Sequence, residues 1–241
     1  MGEEYFTPKL EGQEYDQYLV AFIDILGFRS IVEKSANNIE YFSKILHATQ
    51  IIEHFVGYEK KKSEGRKVEV TQFSDSLVIS RPFLEANDLW QIIMNLDLVQ
   101  KTLASDVGIM IRGGLTAGKL YHKGSISFGP AFVDAYYLES KVAKNPRIII
   151  DPKLLEPNGD YINDARLDML KKSNLKEDVD GYYFINFLGG YFAEPVGPEA
   201  AKKLREYAVL ELANIREVND QTESIRKKME WMLDYIKQCG Y

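Results

Sequence analysis

Between Tyr18 and Leu26 the chain reads Tyr-Leu-Val-Ala-Phe-Ile-Asp-Ile-Leu and stops at Gly27. A short apolar run closed by a glycine predicts a buried strand. It carries one carboxylate, Asp24. A lone charge inside an apolar strand is costly unless something neutralises it. Taken singly, Asp24 is as readily a buried, hydrogen-bonded structural carboxylate as a functional one.

The rest of the chain supplies partners for such a strand. Residues 38–58 place Ile39, Phe42, Ile45, Leu46, Ile52 and Phe55 at helical spacing, and Lys60 to Lys67 read as a solvated loop. Val68–Phe73 and Leu77–Ser80 predict a hairpin with Asp75 at its tip. An amphipathic helix follows over 86–105, with Leu89, Ile92, Ile93, Leu96, Val99 and Leu103 on one side. Val107–Ala117 reads as a strand interrupted by Gly113-Gly114, a mark of a bulge or a close backbone approach. Pro130 suits the first position of a helix reaching about Lys144, and Arg147–Ile150 predicts another strand. Residues 151–181 are weakly patterned, with turns at Pro152, Pro157 and Asn158-Gly159. Tyr182–Phe187 is strand-like, and 199–237 predicts two helices broken near Asn219-Asp220. Alternation of this kind implies an α/β (α+β) sandwich with a mixed or antiparallel sheet.

Composition bounds the partners. The 241 residues fit one moderately large domain, at 45% hydrophobic and 27% charged. A formal charge of −6 argues against generic binding to nucleic acid or to an anionic membrane. Cys239 is the only cysteine, so a disulfide framework and a cysteine metal site are both excluded. The acidic N-terminus lacks a signal-peptide core, and Phe6 stands where a myristoylation motif needs Ser or Thr. With no apolar run near the roughly 18 residues of a membrane span, the simplest expectation is a cytoplasmic protein.

Asp75 alone is an ordinary turn former. The pair is more informative. Asp24 and Asp75 lie 51 residues apart, with a helix and a loop between them, enough chain to bring both strands into one sheet. Two hard carboxylates at neighbouring strand ends suit Mg²⁺ or Mn²⁺, and a metal pair suits phosphoryl transfer.

The flanking residues resemble a known family. Phe22-Ile-Asp24-Ile-Leu-Gly27-Phe28 is similar to the first metal motif of class III nucleotidyl cyclases, and Phe73-Ser-Asp75-Ser76 stands where their second metal aspartate stands. Arg112-Gly113-Gly114-Leu-Thr-Ala-Gly118 resembles their Arg-x-Gly-x-x-x-Gly segment. Gly129-Pro-Ala-Phe-Val-Asp-Ala135-Tyr-Tyr-Leu-Glu139-Ser140 aligns without gaps to their Gly-x-x-Val-Asn-x-Ala-x-Arg-x-Glu-Ser helix. The likeness covers about residues 18–151. It implies a catalytic domain over 1–195 with a helical extension at 196–241, matched by nothing in the family pattern. It further implies two divalent ions held by Asp24, Ile25 and Asp75, and a triphosphate cradled by backbone N–H groups from Ile25 to Phe28. The active sites would form between the subunits of a homodimer.

Departures from the pattern bear on the substrate. The family's transition-state asparagine falls on Val133 and its arginine on Tyr137. Its two base-reading positions fall on Thr71 and Ile126, which spell neither the adenine nor the guanine code. The pattern Arg-Gly-Gly…Gly-Lys-Leu-Tyr-His…Phe-Gly-Pro-Ala…Ala-Tyr-x-Leu-Glu…Asn-Pro-Arg closely resembles the pyrimidine cyclases of the bacterial Pycsar antiphage system. That resemblance implies conversion of UTP or CTP to cUMP or cCMP, a signal acting on a separate effector protein. A purine cyclase and a catalytically silent cyclase-fold module are the alternatives. Arg112, Arg147 and Lys119 are candidates for the missing cation, Tyr137 for a nucleotide contact, and Asp134 for a helix N-terminal charge. His47, His54 and His122 lack zinc-site spacing, so no zinc is expected, and Arg112-Gly-Gly-Leu-Thr lacks the acidic residues of a diguanylate cyclase motif.

Overall fold

The computed structural model describes residues 14–62, 68–157, 159–190 and 193–241. The expected loop at 60–67 and the Asn158-Gly159 turn therefore lie partly outside the described residues. Strand β1 is Asp16–Ile25, followed by a short helix α1 (Phe28–Ser35) and the longer α2 (Ile39–Lys62). The hairpin β2 (Glu69–Phe73) and β3 (Ser76–Pro82) leads to α3 (Ala86–Val107), β4 (Ile111–Lys123) and β5 (Ile126–Phe128). Helix α4 (Pro130–Tyr137) continues into a π-helical turn, Leu138–Val142, before β6 (Ile148–Ile150). A 3₁₀ turn (Pro152–Leu155), α5 (Asp164–Ser173), β7 (Leu175–Glu177), β8 (Tyr183–Ile185), α6 (Gly197–Asn214) and α7 (Asp220–Gln238) complete the chain.

The described strands form one mixed sheet in the order β2-β3-β1-β4-β6-β8-β7, with β5 folded back on β4. β1 is central and antiparallel to both neighbours, and β4 and β6 run parallel. This is the mixed α/β sandwich expected from the pattern.

Alternation along β1 divides the core. Leu19, Ala21, Ile23 and Ile25 enter the main core with α3, α6 and α7, whereas Tyr18, Val20 and Phe22 form a smaller cluster with Ala131 and Ala135 of α4. Asp24 follows the even-numbered set, so it lies on the α4 face. Leu204 and Ala208 of α6 and Met229, Met232, Tyr235 and Ile236 of α7 are all buried in the main core. The C-terminal helices therefore share the core of the sheet domain. No helix among the described residues is long and apolar enough to cross a membrane.

Several boundaries moved. Apolar Val107, Ile109 and Met110 suit a helix end as well as a strand start. Gly108, at φ 61° and ψ 38°, caps α3 in the left-handed region, so β4 begins only at Ile111 and runs on to Lys123. The helix expected to reach Lys144 keeps α-helical geometry only to Tyr137. α1, α5, β5 and β7 are too short to have shown a period in the sequence.

Candidate active site

The two aspartates come to one end of the sheet because β1 and β3 pair along their length, from Tyr18 opposite Pro82 to Asp24 opposite Ser76. Ser74, at φ 53°, and Asp75 form the two-residue turn between β2 and β3. Ile25 N–H donates to the Asp75 carbonyl at 2.9 Å, and Asp24 faces Ser76 across β1 and β3. Leu26 N–H donates to Met110 O at 3.0 Å. Gly27 then turns the chain off the sheet in the left-handed region, at φ 73°, and α1 begins.

Arg112 stands opposite Asp24 in the β1–β4 register, and its Nη2 lies 3.4 Å from Asp24 Oδ2. The same Nη2 forms a close ion pair with Glu139 Oε1. Glu139 reaches this position because the π-helical turn is pressed onto Gly114, where a Cβ would collide with Leu138 Cβ and approach Ala135 O to 3.1 Å. The glycine pair thus marks the close approach that the sequence implied. Arg112 Nε is buried and has no hydrogen-bond partner among the described residues.

Two carboxylates, Asp24 and Glu139, pair with this one guanidinium, and Asp75 lies near enough to act on both. Burial pushes the Asp24 carboxyl up to about 6; Arg112 opposes the shift, and Glu139 and Asp75 add to it. Glu139 is raised chiefly by burial, against the pull of Arg112. The cluster is therefore short of positive charge. Its donors are hard carboxylate oxygens at adjoining strand ends, a set that fits Mg²⁺ or Mn²⁺. Among the described residues no group of three acidic, histidine or cysteine side chains is arranged to enclose an ion by itself. An ion held by Asp24 and Asp75 would keep positions open for phosphate oxygens and water, the usual habit of Mg²⁺.

Other candidates are placed differently. Arg147 is fully buried; its Nη1 and Nη2 pair with Asp178 and Asp180, and its guanidinium lies 5.6 Å from the Phe184 ring centroid and 5.9 Å from that of Trp231. The catalytic role expected for Arg147 is corrected to a structural one, because no face of this cation is left for a substrate. Lys119 is exposed seven residues along β4 from Arg112, roughly 23 Å at strand rise. It cannot serve Asp24 of its own subunit. The N–H groups of Ile25 and Leu26 are spent on Asp75 and Met110, so the backbone cradle expected over Ile25–Phe28 cannot begin before Gly27. The Phe28 side chain is half-buried and packs against the main core.

Thr71 is buried. Its hydroxyl donates to Gly124 O at 2.7 Å and lies 2.7 Å from His122 Nε2, while Ser80 Oγ is 2.8 Å from His122 Nδ1. Since the Thr71 proton goes to Gly124, Nε2 is the donor to Thr71. Ile126, Val133 and Tyr137 are each more than half exposed and open to a partner or ligand. Asp134, expected as a helix N-terminal charge, lies 3.7 Å from Lys153 Nζ. Two charged groups escaped the sequence reading as site residues. Glu139 stood inside the matched motif, and Lys228 of α7 had no motif to signal it.

No family model matches the chain, and no curated protein matches it. Among solved structures it is similar to the guanylyl cyclase Cya2, at 15% identity over 76% of this chain and 96% of that one, with a TM-score of 0.45. A bacterial light-regulated adenylyl cyclase gives 15% identity, 79% and 100% coverage and a TM-score of 0.44. An adenylate/guanylate cyclase/hydrolase from Silicibacter pomeroyi gives 12%, 71%, 95% and 0.37. Likeness at this level assigns no activity, and the case for the site rests on its residues.

Proposed function

We propose that the protein is a metal-dependent nucleotidyl cyclase that converts a nucleoside triphosphate to a 3′,5′-cyclic nucleotide and pyrophosphate. The observation that carries this reading is the meeting of Asp24 and Asp75 at strand ends joined by the Ile25–Asp75 hydrogen bond. In the reaction the ribose 3′-oxygen attacks the α-phosphorus, its proton is lost, and the bond to the β-phosphate oxygen breaks to release pyrophosphate. Asp24 and Asp75 would hold two divalent ions, which supply charge neutralisation and favour the ionised hydroxyl. Arg112 pairs with Glu139 and lies 3.4 Å from Asp24, holding both carboxylates at the strand ends.

The pyrimidine triphosphates are the preferred substrates, UTP before CTP. Thr71 has its hydroxyl committed to Gly124 and His122, and Ile126 is apolar, so neither offers the charged groups by which the resembling purine cyclases read their bases. Val133 and Tyr137 bring no cation from α4. Together with Tyr136 of α4 and with Ile126 and Phe128 of β5, they leave large apolar side chains about half or more exposed. Exposed apolar groups of this size suit a homodimer in which each subunit completes the other's site. The cyclic product would act on a separate effector protein in antiphage defence.

A silent nucleotide- or protein-binding module is the competing reading, favoured by the Arg112–Asp24 contact, which already partly neutralises the aspartate. Incubation of the pure protein with Mn²⁺ and each of the four triphosphates separates the cases. Cyclic product from UTP or CTP supports the pyrimidine reading, product from ATP or GTP alone supports a purine cyclase, and none leaves the silent module.

A further inference from the structure

Helix α7 carries a cation, Lys228, that lines a cleft beside the β1–α1 turn. Lys228 is half-buried, and among the described residues its ammonium makes no hydrogen bond and no ion pair within 4 Å. It nonetheless feels the charges of Asp24, Glu139 and Arg112. Burial, with Arg112 adding to it, lowers its pKa, and the attraction of Asp24 and Glu139 does not restore it. An ammonium held away from water without an anion is costly, and a bound anion would offset that cost.

The space in front of Lys228 is a cleft of about 690 Å³ between the β1–α1 turn, α6 and α7. Its walls include Gly27, Arg29 and Ser30 from the turn, with Gln221, Ser224 and Lys228 from α7. The first internal bond of α1 runs from Ile31 N–H to Gly27 O at 3.0 Å, so the N–H groups of Phe28, Arg29 and Ser30 have no place in the helix ladder. Glu33 and Glu211 also line the cleft. Glu33 is held by Arg29 at 2.9 Å, and Glu211 acts on Lys44.

The lysine is firmly placed. Met229 and Met232 are buried beside it, Trp231 Nε1 donates to Asp178 at 2.8 Å, and the Tyr235 hydroxyl accepts from Leu188 N–H at 2.9 Å. The helix that bears it is thus fixed at two points in the sheet domain.

We propose that Lys228 binds the polyphosphate tail of the substrate from within the same subunit, so that α7 is part of the substrate site. The inference rests on the cyclase reading for the identity of the substrate and on the cleft for its position. The anion is gripped between the α1 end of the cleft and Lys228 of α7.

Inorganic pyrophosphate, titrated with Mn²⁺ into the full chain and followed by tryptophan fluorescence and calorimetry, tests it. Lys228→Met should weaken pyrophosphate binding at least tenfold and raise KM for the triphosphate, and Lys228→Arg should recover most of both. The melting temperature of Lys228→Met should be unchanged or higher, because a charge without a partner has been removed. Unchanged pyrophosphate affinity in Lys228→Met overturns the proposal, as does failure of the wild-type protein to bind pyrophosphate. The four-triphosphate assay keeps the two claims apart. Cyclic product with affinity independent of Lys228 sinks this inference alone, and Lys228-dependent pyrophosphate binding without cyclic product from any triphosphate sinks the cyclase reading alone.

Discussion

The backbone N–H of Ile25 donates to the carbonyl of Asp75 at 2.9 Å, so the peptide that follows one candidate metal ligand is bonded to the peptide of the other. The Asp75 side chain takes no part in that bond. Asp75→Ala should therefore leave the circular dichroism spectrum and melting temperature nearly unchanged while lowering cyclase turnover by on the order of 10³-fold, the scale of losing one electrostatic contact to a developing charge. Retained turnover in a folded Asp75→Ala protein would sink the metal assignment.

Gly114 lets the π-helical turn lie on the sheet. Gly114→Val should displace Leu138 and with it Glu139, costing about 1–3 kcal/mol by overpacking and breaking the Arg112–Glu139 pair. Urea denaturation measures the first effect. Turnover at a temperature where the variant is still folded measures the second, and a variant as stable as wild type would contradict the close packing.

Arg147 is a test of structure rather than chemistry. Arg147→Met leaves Asp178 and Asp180 without their buried cation and should destabilise the fold by about 3–5 kcal/mol. Trp231 Nε1 also donates to Asp178, so the loss should appear as a lower denaturation midpoint with altered tryptophan emission. An Arg147→Met protein of normal stability and no turnover would point to a catalytic role for Arg147 instead.

Burial lifts the Asp97 carboxyl to about 6, from 3.8, despite Lys101 Nζ at 2.5 Å. The folded protein then holds this proton more tightly than the unfolded chain. The stabilisation is full below about pH 4 and is lost as the pH rises through 6, up to about 3 kcal/mol at 1.36 kcal/mol per unit. Asp97→Asn should flatten the fall in stability between pH 4 and 7. Equal slopes in variant and wild type would refute the shift.

Much of the site's frame was legible because it depends on local pattern. The apolar run containing Asp24, the hairpin tip at Asp75 and the apolar stripe of α3 each follow from the two- or 3.6-residue repeat of side chains on their own element. Gly113-Gly114 announced a close approach, and the structure supplies the neighbour, Leu138. The start of β4 was misread because Val107 to Met110 satisfy both periods, and only the left-handed cap at Gly108 separates them.

What the sequence could not contain is which charges meet. Arg147 and Arg112 begin adjoining strands and look alike as candidate cations. Arg147 is neutralised by Asp178 and Asp180, 31 and 33 residues on, while Arg112 reaches Asp24, 88 residues back. Thr71 meets His122, 51 residues on, and Lys228 feels the charge of Asp24 from a helix pinned through Trp231 and Tyr235. Periodicity assigns a side chain to a face. Its partner, its burial and its usable charge are set by contacts between distant segments, and those the tertiary structure alone decided.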